Sequence, residues 1–490
     1  MPFQVCVITL KFHHQATLPR TGVYPVFRIT LLICWSLAFL WPMPLLSQES
    51  VLHSFRDLVR TETWKEETLD AQGISQPQEV TAEIWTAAFQ AALAQRHTLH
   101  IPSRPLPYYI DAPLILKSGD SLTADKDAEI RLKPGTNTCM VRNENIRGFG
   151  DRPVPADTQP DTGITIEGGI WTTLVLGPQV TNGNVRGASS QVNPVPGTHG
   201  VILLQNVRRV LVKNLTVRQS KAFAVHLGNV SEFRVEGIRL DRHWRDGVHV
   251  NGPASHGVIR DVRGESHDDT ISIAAWDWRN YAASFGPIHH LQIEKISGVP
   301  EKPNSADAIR LLPGVKRFED GTTLDCTISD VVLQDISDIR EFKLYDQPNL
   351  EHGRDKDYSA ALGTLRNIKL QNLTFTRPGV IQIAAEVDGL SVEGVDFQFT
   401  PPARYRLIEI GPMSQTYSFG PDPSQKVEIF SPDRDVTVRG FQLGKVSIEG
   451  ELLNDADAEA RFLQVKDQQP NPDYPRTTPR GGTGKAKLVR

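Results

Sequence analysis

Cysteine is scarce in this chain, with four among 490 residues. Cys6 and Cys34 fall in the first 47 residues, so a chain that loses an N-terminal leader keeps only Cys139 and Cys326. Two cysteines so widely spaced exclude a disulfide scaffold and imply no cysteine metal site. A cationic excess is also missing. The formal net charge is −4, with no domain-wide surplus of Lys and Arg, which excludes nucleic acid as a bulk electrostatic partner. Nor is there a disorder-like bias: 39% hydrophobic and 22% charged residues make ordinary globular material, long enough for a large core or an extended repeat array.

One apolar run stands apart, from Ile29 to Leu46, preceded by Arg28, Arg20 and Lys11. It reads as a secretory signal with a long leader, expected to be cleaved near Ser47-Gln48. Pro42 and Pro44 favour that reading. A single membrane anchor is the alternative, because the run nearly suffices to span a bilayer. The expected location is therefore secreted or periplasmic, with membrane anchoring through this segment as the alternative. The expected organisation is a signal peptide over 1–47, an N-terminal segment with a capping helix over 48–100, a solenoid over 101–465, and a flexible basic tail over 466–490.

Ile84, Trp85, Ala88, Phe89 and Ala92, with Thr81 as a possible cap, predict an amphipathic helix from Thr81 to Gln95. Short apolar strands dominate beyond it. From Gly200 a repeat becomes legible, with strand cores at Val201, Val225, Val248 and Ile271 spaced by 24, 23 and 23 residues and a fifth at Ile309 after 38. Between them runs a second series: Asn214-Leu215, Gly237-Ile238, Asp261-Val262, Lys295-Ile296, Asn372-Leu373 and Gly394-Val395. Two strand columns at one shared period, with Gly and Asn at the turns, predict an all-β fold, a right-handed parallel β-helix. A β-sandwich would not hold so constant a period. Solenoid ends need covering, and the helix suits the N-terminal end.

Alternate residues of a strand face opposite ways. With Val201, Val225, Val248, Ile271 and Ile309 inward, the residues after them form an outward column of Ile202, His226, His249, Ser272 and Arg310, extended by Lys343. Two residues before each anchor lies a further column, which includes Asp246, Asp269 and Asp307, with Asp268 beside Asp269. Coils stack about 4.8 Å apart, so these acids should crowd one edge. A lone Asp before Gly usually supports a turn. Turns do not require acids on the same edge of consecutive coils, however, and crowded carboxylates can supply an acid and a base together. The plainer readings of the column residues are a solvated surface for His226 and His249, and salt bridging to the acids for Arg310 and Lys343.

The segments Arg245-Asp246-Gly247-Val248-His249-Val250, His267-Asp268-Asp269-Thr270-Ile271-Ser272-Ile273 and Ile309-Arg310-Leu311 resemble the polygalacturonase group of glycoside hydrolases. That family carries Asn-Thr-Asp-Gly, Asp-Asp, Gly-His-Gly and Arg-Ile-Lys motifs on a pectin-lyase-like β-helix. The resemblance covers roughly residues 200–314. It implies that Asp268 or Asp269 is the general acid and that the other acids, Asp246 among them, activate water for inversion at the anomeric carbon. Two departures stand out. Leu312 occupies the position of the family lysine, leaving Lys343 as a substitute from the next coil, and no Gly-His-Gly is present. The missing lysine weakens the expectation of a galacturonate polymer, whose carboxylates such a cation would help bind.

Trp276, Trp278 and Tyr281 follow the Asp pair in an interrupting loop and could wall a sugar subsite or pack against the solenoid flank. The expected catalytic residues are thus Asp246, Asp268 and Asp269. His226, His249, Arg310, Lys343, Asp307, Trp276 and Trp278 are expected to bind substrate. No cofactor or metal is expected. The expected partner is a polysaccharide or oligosaccharide substrate, with no nucleic acid, no stable membrane association after leader cleavage, and a monomeric state. Two other functions remain open: a polysaccharide lyase or uronan epimerase using Arg or Lys with Ca²⁺ bound by aspartates, and a non-catalytic carbohydrate-binding solenoid.

Overall fold

The computed structural model describes residues 52, 54–69, 75–136, 138–146, 154–155, 157–173, 200–277, 284–318, 320–345, 362–412, 414–418, 426–430, 435–467 and 485–489. The apolar run at 29–46 and Trp278 lie outside the described residues. Among those described, no helix is long and apolar enough to cross a membrane.

From residue 98 onward the described chain winds as a right-handed parallel β-helix, whose coil strands pair in parallel with their counterparts on the next coil, with antiparallel hairpins formed by Gly314–Arg317 with Thr323–Cys326 and by Ser414–Ser418 with Lys426–Phe430. One inward column runs Ile202, Val225, Val248, Ile271, Ile309, Phe342, Ile381 and Ile408. All eight are fully buried. The outward column beside it runs Leu203, His226, His249, Ser272, Arg310, Lys343, Gln382 and Glu409. The expected register therefore holds from Val225 onward and slips by one in the first coil. There Ile202 faces the core and Leu203 the outward column. The reason is local: Val201-Ile202-Leu203-Leu204 is apolar throughout and all buried, so it carries no alternation from which to read parity.

The second predicted series forms a corner of eight successive coils. Asn214, Gly237, Asp261, Lys295, Asp335, Asn372, Gly394 and Lys445 all adopt positive φ, between 49° and 73°. Each is followed immediately by a buried aliphatic residue: Leu215, Ile238, Val262, Ile296, Ile336, Leu373, Val395 and Val446. A left-handed residue turns the strand sharply, and Asn, Asp and Gly tolerate that conformation best. Neighbouring corners also bond to each other, as where Asn372 Nδ2 donates to Asp335 Oδ1 at 2.9 Å.

Both ends are covered. The N-terminal helix spans Thr86–Arg96 and buries Ala88, Phe89, Ala92 and Leu93. It starts five residues later than the periodicity predicts, because Ser75–Ile84 is a strand paired antiparallel with Arg60–Leu69. Ile84 there packs with Tyr109, Trp64 and Ala82, so its apolar side serves the hairpin rather than the helix. At the other end the helix Asp455–Phe462 is capped by Asn454, whose side chain accepts from Asp457 N. It seats Phe462 against Phe397 with ring centroids 4.9 Å apart. The expected basic tail contains a strand, Ala486–Val489, which pairs in parallel with Val436–Arg439.

Candidate active site

Asp246 lies in the connection between the strands Phe223–His243 and Val248–Ser266, and Asp269 opens the strand Asp269–Ala274 one coil later. Gly247 N donates to Asp269 O at 2.9 Å, locking the two coils together beside the acids. A side chain at position 247 would not fit, since its Cβ would lie 2.5 Å from the Thr270 carbonyl oxygen. Thus the Asp-Gly pair serves stacking as well as turning. One carboxylate oxygen from each of Asp246, Asp268 and Asp269 lies within 4.8 Å of the others. The acid cluster expected from the repeat is therefore present in space.

Cations surround it. Asp269 is almost fully buried, and both of its oxygens are engaged, Oδ2 by Arg310 Nε at 2.6 Å and Oδ1 by Lys343 Nζ at 2.8 Å. Lys343 thereby supplies, from the next coil, the cation that buried Leu312 cannot. Burial alone would lower the Lys343 pKa, but the Asp269 charge outweighs it and holds the ammonium above its ordinary range. The same balance raises the Arg310 guanidinium. Asp268 pairs with Arg245 NH1 at 2.9 Å. Its side chain is 27% exposed, against 6% for Asp246 and 1% for Asp269, so Asp268 is the acid most open to a ligand.

His249 joins Asp246 to a fourth carboxylate. Its Nδ1 lies 2.6 Å from Asp246 Oδ2 and its Nε2 lies 2.9 Å from Asp277 Oδ2. Phe223 stacks flat on the imidazole at 4.1 Å. Burial would lower the His249 pKa, but the hydrogen bonds to the two carboxylates prevail and push it up to about 9. The site thus holds an imidazolium. Asn251 braces the group, accepting through Oδ1 from His226 Nε2 at 2.7 Å and donating through Nδ2 to Asp277 Oδ2 at 3.2 Å.

Four carboxylates, Asp246, Asp268, Asp269 and Asp277, therefore face four cations, Arg245, His249, Arg310 and Lys343. Each Asp269 oxygen already meets one cation, while one oxygen from each of Asp246, Asp268 and Asp269 is close enough to the others for the three to share a metal ion. His226 and His249 are buried, which corrects their plainer reading as solvated surface histidines.

Two other expectations change. Asp307 is fully buried and lies outside the cluster; it accepts from Ser305 Oγ at 2.6 Å and pairs with Arg377, which makes it a structural anion. Trp276 is 1% exposed and packs in the core against Gly314, so it walls no sugar subsite. The wall was read from a polar loop, but Ala274, Ala275 and Trp276 are buried and continue the interior. His289 and His290 sit with His256 on the other strand column, at the surface. Sequence reasoning missed Asp277 and Asn251. The available signal was the lone acid in Ala274-Ala275-Trp276-Asp277-Trp278, since an acid inside an apolar run is buried with a partner or not at all.

No family model matches the chain, and no curated protein matches it. Several solved structures are similar to it at low identity. The chain is similar to the family 28 exopolygalacturonase of Yersinia enterocolitica at 10% identity, over 88% of this chain and 83% of that one, with a TM-score of 0.41. It is similar to PfbA, a surface protein and adhesin of Streptococcus pneumoniae, at 10% identity over 90% and 99% of the two chains, with a TM-score of 0.34. The polygalacturonase of Erwinia carotovora shares 13% identity over 64% of this chain and 90% of its own, with a TM-score of 0.34. Hydrolases and an adhesin stand side by side here, and none of these likenesses assigns an activity.

Proposed function

We propose that the protein is an exported, metal-independent glycoside hydrolase that cleaves a polysaccharide, or an oligosaccharide derived from one, by acid–base chemistry. The observation that carries this reading is the three-carboxylate cluster, two of whose members are fixed by buried cations while the third opens outward. One acid of the cluster, in its protonated form, passes its proton to the glycosidic oxygen as the bond from that oxygen to the anomeric carbon breaks; Asp268 is the most exposed candidate, and to serve it must leave its pairing with Arg245 and take up a proton. A water molecule forms the new bond to the carbon, and its proton goes to Asp246. Asp246 is oriented for that task through Oδ2 by His249, and Asp269 by Arg310 and Lys343. Asp269 completes the anionic wall against which positive charge develops at the sugar carbon.

The charge balance argues against the Ca²⁺-dependent lyase or epimerase. A divalent ion at the cluster would have to share Asp269 with Arg310 and Lys343, whose nearby positive charges oppose it.

The test is a polysaccharide panel assayed for new reducing ends and for ultraviolet-absorbing unsaturated products, with and without chelator. New reducing ends that are insensitive to chelator are expected. Unsaturated products would make the protein a lyase, and the absence of both products would leave a binding solenoid.

A further inference from the structure

Beyond Lys343 the outward column continues as Gln382 and then Glu409, away from the acid cluster. The surface there is recessed. Tyr345, Gln382, Ala384, Glu409, Pro412 and Lys466 line a shallow hollow of about 130 Å³, smaller than a drug-sized pocket and open to solvent, with room for part of one ring. Its polar groups have an unbalanced chemistry. Among the described residues Gln382 Oε1 is buried without a hydrogen-bond partner, an unfavourable state until a donor reaches it. Glu409 is a second acceptor, engaged through Oε2 by Lys466 Nζ at 2.6 Å. Burial pushes the Tyr345 hydroxyl up to about 12, so it stays a neutral phenol that can donate or accept.

A ligand suited to these walls must bring hydrogens to Gln382 Oε1 and Glu409 and must also accept from Lys466 and the Gln382 amide. Hydroxyl groups do both. A carboxylate or phosphate donates nothing and would meet the charge of Glu409. Pro412 and Ala384 add apolar edges for the C–H face of a ring. We propose that this recess binds a neutral, hydroxyl-rich pyranose unit. Gln382 stands three coils and Glu409 four coils from Ser272, roughly 14 to 19 Å along the solenoid. One glycan chain can therefore reach from the recess to the acids. That extension rests on the proposed hydrolase, whereas binding of the neutral sugar does not.

The experiment is calorimetric titration of the full chain, at neutral pH, with cellohexaose, xylohexaose, mannohexaose, galactohexaose and hexagalacturonate. Binding of at least one neutral hexamer is expected, weakened about tenfold or more in Gln382→Ala and in Glu409→Gln, the loss of roughly one good hydrogen bond. Glu409→Gln keeps side-chain size, and a thermal melt of each variant separates lost contacts from lost fold. The proposal fails if no neutral hexamer binds, or if both recess variants bind it as tightly as the parent. Neutral binding that depends on Gln382, in a chain that hydrolyses none of these sugars, would keep the recess and remove the hydrolase. Hydrolysis with affinity unaltered in both variants would do the reverse.

Discussion

Asp277 holds Nε2 of His249 at 2.9 Å, on the side of the ring opposite Asp246. The imidazole cannot leave that position without breaking a bond at each nitrogen, so the pair sets where Asp246 points. Because Asp277 lies beyond the end of the strand Asp269–Ala274, the site depends on the chain after the strand as well as on the stacked coils.

Replacing Asp277 by Asn should therefore lower the His249 pKa from about 9 toward or below its ordinary value near 6.5. The imidazole proton and nitrogen resonances, followed through a pH titration, report this directly. Stability should follow the same group. With its folded pKa raised, the ion-paired imidazolium contributes fully below about pH 6.5, and that contribution is lost as pH rises through about 9. Melting temperature should fall across that window in the parent chain and fall less in Asp277→Asn.

Asp246→Asn, Asp268→Asn and Asp269→Asn should each reduce turnover by about 10² to 10⁴, the usual worth of a positioned acid or base. Circular dichroism should show an intact solenoid. Substantial turnover by all three variants would remove the acid–base assignment.

The first-formed product should carry the inverted anomeric configuration, read by proton NMR before mutarotation. Both oxygens of Asp269 are committed to cations and Asp246 is bound by His249, which favours water over a carboxylate as the attacking group. The spacing alone points the other way, since oxygens within 4.8 Å are nearer the separation of about 5 to 5.5 Å found in retaining pairs. A retained product would identify one of the acids as a nucleophile.

Lys343→Met should destabilise the chain by about 3 to 5 kcal/mol, because it strips a buried carboxylate of one of its two cations. Adding Asp269→Asn should recover part of the loss. The coupling is measured by a double-mutant cycle in urea.

Gly247→Ala should cost about 1 to 3 kcal/mol through the forced contact with the Thr270 carbonyl. Activity should drop further than stability does, because the clash spreads the two coils that carry Asp246 and Asp269. An unchanged melting temperature would show that the coils can part without strain.

How much of this was legible beforehand follows from what each residue obeys. Val225, Val248, Ile271 and Ile309 repeat because every coil needs the same inward side chain, and their pairing gave the stacking of His226, His249, Ser272 and Arg310 in advance. Asp246 and Asp269 share an offset for the same reason. Period alone could not show that Asp307 belongs to Arg377, because that pairing spans 70 residues and is decided by packing. Nor could it reveal Asp277, which sits outside the repeat, or parity in the unbroken apolar run at Val201. The N-terminal helix was misplaced where Ile84 fits a helical stripe and a strand equally well, and hairpin pairing decided it.

The left-handed corners also bear on how this chain can diverge. At one geometric position they accept Asn, Gly, Asp and Lys in turn, each followed by whichever of Leu, Ile or Val fits beneath. Most of the wall can thus be rewritten by drift with its register intact, leaving long stretches that no family profile would catch. The acids and their counter-charges allow no such freedom, because each is held by named partners across coils.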